Sequence, residues 1–351
     1  MRGYKDNNMK ALVLTEYNRF EYQDVPKPEM GPDDVLIKVK ACGICGSDIH
    51  GMDGSTGRRQ PPLIMGHEAS GVVADTGAQV ADWRIGERVT FDSTIYCGAC
   101  PHCIRGEVNL CDHRRVLGVS CDEYLMNGAF ADYVVVPQHI LYRLPDNLHF
   151  VPAVMVETCS IAFHAVRRTP MTLNDMAVVV GTGMVGLLIV QAAKQAGCGT
   201  VIAVDLDQDR LNLARELGAD ATLRSDETDV VEAVANLTDG RGADIAFEVV
   251  GIETTVNLAI ASLRKGGALT LVGNLAPAVR VPLQTLVTRE LTVYGSCASS
   301  GEYPACLEMM AAGRINVDPI LSATVPLAEG AAWFKRLYDR EPGLLKVVLK
   351  P

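Results

Sequence analysis

The segment Ala177-Val-Val-Val-Gly-Thr-Gly-Met-Val-Gly186 leaves this chain little choice of fold. Its β-branched start reads as a buried strand and the apolar run beyond Gly186 as a helix, so the glycines must form a strand-to-helix turn. Gly181 serves the tight turn, Gly183 lets a pyrophosphate reach the helix N-terminus, and Gly186 lets helix and sheet pack closely. Val185 in the same turn and Gly273, just after a strand-like run at 267–272, complete the candidate cofactor contacts there. Nineteen residues beyond Gly186 stands Asp205, whose carboxylate can accept ribose hydroxyls and would repel a 2'-phosphate. The pattern therefore predicts NAD. Arg210 could neutralise a phosphate, flank the adenine, or lie on a helix surface. The alternatives are a turn needing glycine for packing alone, or a methyltransferase holding another nucleoside.

Strand-like runs at 200–204, 243–247 and 267–272 alternate with helical runs at 207–217 and 254–263, the signature of a doubly wound parallel sheet. Before residue 150 the texture differs: short strands at 11–14, 35–39 and 71–74 are punctuated by glycine and proline, as in an all-β unit. A chain of 351 residues, 48% apolar, can bury two such cores. After about residue 289, a strand at 291–294, a helix at about 302–312 and a strand at 345–349 are expected to return to the β unit. The expected division is 1–153 with 290–351 for the β domain, and 154–289 for the α/β domain.

A net charge of -10 and a pI near 5.2 disfavour nucleic acid and anionic membranes, because both require a basic face, and point to a small-molecule partner. Residues 1–10 are polar and read as a loose tail without a signal-peptide core, so a cytoplasmic location is expected. Residues 176–193 are apolar enough to mimic a short membrane span, but their spaced glycines and flanking Asp175 and Lys194 suit a buried strand and helix better.

Four of the eleven cysteines, Cys97, Cys100, Cys103 and Cys111, fall within fifteen residues as C-x2-C-x2-C-x7-C. An odd count in a reducing compartment argues against disulfides. Four thiolates with no place left for water describe a structural zinc site. An iron-sulfur cluster is the rival, although its bacterial run places the fourth cysteine closer and follows it with proline. His102 and His113 read as solvated loop residues.

Two further stretches carry chemistry, Cys42-Gly-Ile-Cys45-Gly-Ser47-Asp48-Ile-His50 and Gly66-His67-Glu68-Ala-Ser-Gly71 continuing to Gly77 and Val80. The second matches G-H-E-x2-G-x5-G-x2-V, and the chain resembles the zinc-dependent medium-chain alcohol dehydrogenases from about Met9 to its final strand. The resemblance implies a GroES-like β catalytic domain interrupted by a Rossmann domain, with two Zn2+ per chain, one catalytic and one structural. It implies Cys45 and His67 as catalytic zinc ligands and Asp48 as the acid fixing the His67 ring. Ser47 would take the alcohol proton and pass it through a ribose hydroxyl to His50. Alcohol oxidation needs such a metal because the hydroxyl proton is tightly held at pH 7; bound zinc lowers the pKa of coordinated water from ~16 to ~7. Read by themselves, Cys42 and Cys45 could be a redox pair and His50 a surface residue.

The sorbitol dehydrogenase branch carries Glu in a stretch like E-P-L-S-x-x-x-H-A, and here Glu157-Thr-Cys159-Ser-Ile-Ala-Phe-His164-Ala165 aligns with it. Glu68 or Glu157 would contact the metal directly, the other through water, while Cys159 packs in a helix. A carboxylate-containing shell suits polyols that chelate through neighbouring hydroxyls. Sorbitol dehydrogenases carry Tyr after the relay His and an aromatic-Arg pair after a later Gly; this chain has Gly51 and Ser296-Cys297. Lys346 resembles the basic residue near the cofactor pyrophosphate. The resemblance thus implies an L-iditol 2-dehydrogenase-like enzyme, a homodimer or homotetramer. The alternatives are a threonine 3-dehydrogenase, a general secondary-alcohol dehydrogenase, and a non-catalytic zinc-binding module.

Overall fold

In the computed structural model, which describes residues 7–351, the strand Asp34–Gly43 buries Val35, Ile37 and Val39 on alternate positions. That period-2 pattern gives a sheet one apolar face. Its neighbours are Glu68–Thr76 and Tyr133–Pro137, both antiparallel, and further along Lys346–Lys350, which joins at Cys42 and Gly43. The seven-stranded sheet packs over a core that includes Leu12, Leu14, Phe91, Phe130 and Phe334, the last two edge-to-face at 5.6 Å. Of the segment read as a loose tail, Asn8 onward already lies in the strand Asn8–Glu16, and residues 1–6 lie outside the described ones.

The second unit is a six-stranded parallel sheet. Its order is Ala221–Arg224, Thr200–Asp205, Met176–Val180, Ala243–Glu248, Leu263–Leu271, Thr292–Gly295. The central strands are mostly apolar, as in Met176–Val180, because helices cover both faces of such sheets. The chain winds outward from Met176–Val180 in one direction and returns beside it as Ala243–Glu248, so the order reverses between those two strands. Ligands of doubly wound sheets bind beyond the carboxyl ends at such a reversal.

One boundary is corrected. Residues 290–302 were expected to return to the β unit, but Thr292–Gly295 pairs in parallel with Leu263–Leu271 and completes the Rossmann-type sheet. The apolar run that looked like a returning strand is an edge strand. The compact units are residues to 157 with 303–311 and 320–351, and residues 158–302 with 312–319. Residues 176–193 divide into a strand and the helix Met184–Gln195, and among the described residues no helix is long and apolar enough to cross a membrane.

Candidate active site and metal centres

The strand Asp34–Gly43 delivers the chain to Cys45, which begins the helix Gly46–Gly51. On so short a helix successive side chains diverge, so Asp48 points inward, fully buried, while Ser47 and His50 stay exposed. Gly66 holds a left-handed backbone (φ 95°) against the Phe130 ring and Cys42, a turn closed to other residues, and so fixes how His67 and Glu68 enter the next strand. Potential ligand atoms of Cys45, His67 and Glu68 come within 4.8 Å of one another. A thiol, an imidazole and a carboxylate, two of them buried, form a donor set that fits zinc.

Charges around this cluster are paired. Asp48 Oδ1 accepts from Arg59 Nε at 3.2 Å and Nη2 at 3.0 Å. Burial alone would raise the Asp48 pKa, but the charges of His67 and Arg59 bring it down to about 2. His67 Nδ1 lies 3.4 Å from the same oxygen, close but not aligned for a hydrogen bond, and Nε2 lies 3.5 Å from Ser47 Oγ. Although burial favours a neutral ring, Asp48 and Cys45 raise His67 well above its ordinary pKa. Glu157, partly buried beside Glu68, is pushed up to about 7 by burial and by that neighbouring carboxylate. Cys42 is fully buried on its strand, and burial pushes its thiol up, which opposes thiolate redox chemistry.

Lys346 lies on the strand Lys346–Lys350. It is fully buried, its Nζ donating to Glu68 and, at 3.2 Å, to the Ile44 carbonyl. A buried ammonium of this kind needs the carboxylate it is paired with.

The four sulfurs of Cys97, Cys100, Cys103 and Cys111 also lie within 4.8 Å of one another. Backbone N–H groups approach them: Cys97 Sγ accepts from Ala99 and Cys100, and Cys111 Sγ from Cys97 and His113. The N–H groups of Cys103 and Asp112 draw Cys100 down to about 6, while desolvation and its sulfur neighbours push Cys103 up to about 12. Sulfurs this close cannot all ionise without a cation among them, so the lobe fits a metal. His102 is engaged by Glu107 at 2.8 Å, and His113 is exposed.

In the α/β unit, Gly181 has φ 97°, and a Cβ on Gly186 would lie 1.9 Å from the Gly181 carbonyl oxygen, so turn and helix touch backbone to backbone. Beside Gly183 there is open space, and the helix Met184–Gln195 that it caps has no side-chain cap. Open space beside uncapped helical N–H groups fits a dinucleotide phosphate. Asp205 Oδ2 accepts from Thr182 N–H at 2.7 Å and Thr182 Oγ1 at 2.9 Å, and Oδ1 from Leu206 N–H at 2.8 Å. Gly273 packs against the backbone of Val250 and Gly251. Arg210 lies 3.7 Å from Asp207 on the helix surface.

Residues 31–146 match the alcohol dehydrogenase GroES-like domain and residues 184–312 the zinc-binding dehydrogenase domain. The chain belongs to the zinc-dependent medium-chain dehydrogenases. It is 36% identical to sorbitol dehydrogenase of Halalkalibacterium halodurans over 98% of this chain and 99% of that one. It is 33% identical to sorbitol dehydrogenase of Bacillus subtilis over 98% of each. Among solved structures, a zinc-binding dehydrogenase of Sinorhizobium meliloti bound to NADP is 33% identical, with a TM-score of 0.90, covering 98% of this chain and 99% of that one.

For this dehydrogenase, sequence reasoning reaches neither Arg59 nor the partner of Lys346. Arg59 sits in a polar loop, where Gly-Arg-Arg reads as solvated charge, and only the fold brings it under Asp48. The partner of Lys346 lies 278 residues away. The available signal was a lone lysine in the otherwise apolar run Leu345–Leu349, since an internal charge on a buried strand requires a partner.

Proposed function

We propose that this dehydrogenase oxidises a secondary hydroxyl of a polyol to a ketone and passes hydride to NAD. The observation that carries the reading is the convergence of Cys45, His67 and Glu68, with Ser47 and Asp48 beside them. Those three residues would hold a catalytic zinc, and Cys97, Cys100, Cys103 and Cys111 a structural one. Zinc when bound supplies a Lewis acid that loosens the hydroxyl proton. Asp48 orients the His67 ring, and Glu157 buttresses the Glu68 side of the pocket. Ser47 takes the substrate proton, and His50, exposed on the same helix, hands it to solvent. Preference for NAD over NADP is supported by Asp205, a carboxylate braced at the strand end where a 2'-phosphate would meet it.

The sorbitol dehydrogenase names of the relatives and the carboxylate in the ligand set support polyols over simple alcohols. An assembled dimer or tetramer is supported by the edge strand Thr292–Gly295, where the apolar Val293 is 43% exposed. The test is a screen of tetritols to hexitols with NAD, reading reduced cofactor by absorbance. Turnover of several polyols is expected. Turnover of threonine with none of any polyol would overturn the substrate class.

A further inference from the structure

Arg59 is a buried cation of the catalytic cluster that the proposed reaction leaves without a task. It is 4% exposed, and each polar end of its guanidinium is engaged. Nε and Nη2 both donate to Asp48 Oδ1, Nη2 also donates to Ser47 Oγ at 3.3 Å, and Nη1 donates to the Arg58 carbonyl at 3.0 Å. One planar group thus ties the acid beside His67 to the hydroxyl expected to receive the substrate proton.

Stability does not account for this arrangement, because the cost of desolvating a buried ion pair roughly offsets its attraction. Hydrogen-bond polarity suggests another role. A guanidinium only donates, whereas a hydroxyl has one proton and two lone pairs. With Arg59 donating into one lone pair of Ser47, the second lone pair remains to accept the substrate proton while the existing Ser47 proton points away, ready to be passed on. Without Arg59 the hydroxyl could rotate, and its own proton could face the substrate.

Gly51 supports the same conclusion from a separate contact. A Cβ there would lie 2.5 Å from Arg59 Cγ and 3.2 Å from Thr56 Oγ1. Cγ belongs to the stem of a side chain anchored at its head, so it cannot yield without dragging the guanidinium off its partners. The aromatic residue that sorbitol dehydrogenases carry at this place and the observed position of Arg59 exclude each other.

We propose that Arg59 is a positioning residue for proton transfer at Ser47, and that the missing side chain of Gly51 is what keeps it in place. The proposal rests on the zinc-site reading above. It is tested with R59M, G51A and C45S, measuring kcat, zinc per chain, melting temperature and the solvent deuterium isotope effect on kcat. R59M is expected to lower kcat by roughly 10- to 100-fold, with zinc retained and the isotope effect raised because proton transfer has become slow. G51A, a change that helix propensity favours, is expected to shift kcat and the isotope effect in the same direction by a smaller factor. Native kcat and isotope effect in both variants would overturn the proposal. So would a fall in kcat accompanied by loss of zinc and an unchanged isotope effect, which is what mere structural support would give. C45S separates the two failures: if it is inactive while R59M and G51A behave as native, only the role of Arg59 falls. If C45S turns over normally, the zinc reading falls and this proposal with it.

Discussion

The two candidate metal centres of the β unit are built in opposite ways. The four-sulfur lobe comes from one stretch of fifteen residues, is lined by backbone N–H groups, and includes the exposed Cys97. The cluster of Cys45, His67 and Glu68 draws on separate elements and depends on buried charges contributed by Arg59 and Lys346. A site made from contiguous chain needs only local backbone geometry, whereas a dispersed site needs the tertiary fold to compensate each desolvated charge. The lobe is suited to closing around an ion. The dispersed site is suited to tuning one.

The sharpest way to break this contrast is to remove one centre at a time. C45S should lower turnover by roughly 10^3-fold or more while elemental analysis falls from two zinc ions per chain to one. C100S should do the reverse: the catalytic ion stays, but the lobe loses metal-linked stabilisation on the order of 10 kcal/mol, seen as an earlier thermal transition. Equal losses of both ions in either variant would show that the centres are not independent. K346M probes the buried charges. Leaving Glu68 without its ammonium should cost about 3–5 kcal/mol in chemical denaturation, and adding E68Q should recover part of that.

Smaller effects are expected in the α/β unit, and they should spare both metals. D205S should shift the kcat/KM ratio of NADP to NAD upward by roughly tenfold. Asp244 gives a pH test. Burial would raise its pKa, but the Met176 N–H and the guanidinium groups of Arg264 and Arg241 hold it below the ordinary range. A depressed carboxyl stabilises the fold above its unfolded pKa, about 4, and that contribution is lost as the pH falls. D244N should therefore destabilise by about 1–2 kcal/mol at pH 7, the difference from the native protein shrinking on acidification in pH-resolved denaturation.

Legibility in the sequence follows the same local-against-dispersed division. The four cysteines, the Gly181 turn and the Gly-His-Glu run could be read because spacing alone brings their groups together. The alternating strands and helices likewise revealed the parallel sheet. Thr292–Gly295 was misassigned because a short apolar run carries no label for the sheet it joins; pairing with Leu263–Leu271 settles that through the fold. The partners of Arg59 and Lys346 are not legible for the equivalent reason in side chains, since they become neighbours only once the chain has folded. The bracing of Thr182 by Asp205 within the turn is a contact that spacing does not reveal.

The strand carrying Lys346 joins the sheet at Cys42 and Gly43, immediately before Cys45. A nascent chain emerging from the ribosome therefore presents Cys45, His67 and Glu68 long before the ammonium that pairs with Glu68 has been translated. The intervening Rossmann-type unit can mature during that interval, while the pocket stays incomplete until Lys346 reaches Glu68. Fragments interrupted by premature termination would thus be unable to finish it.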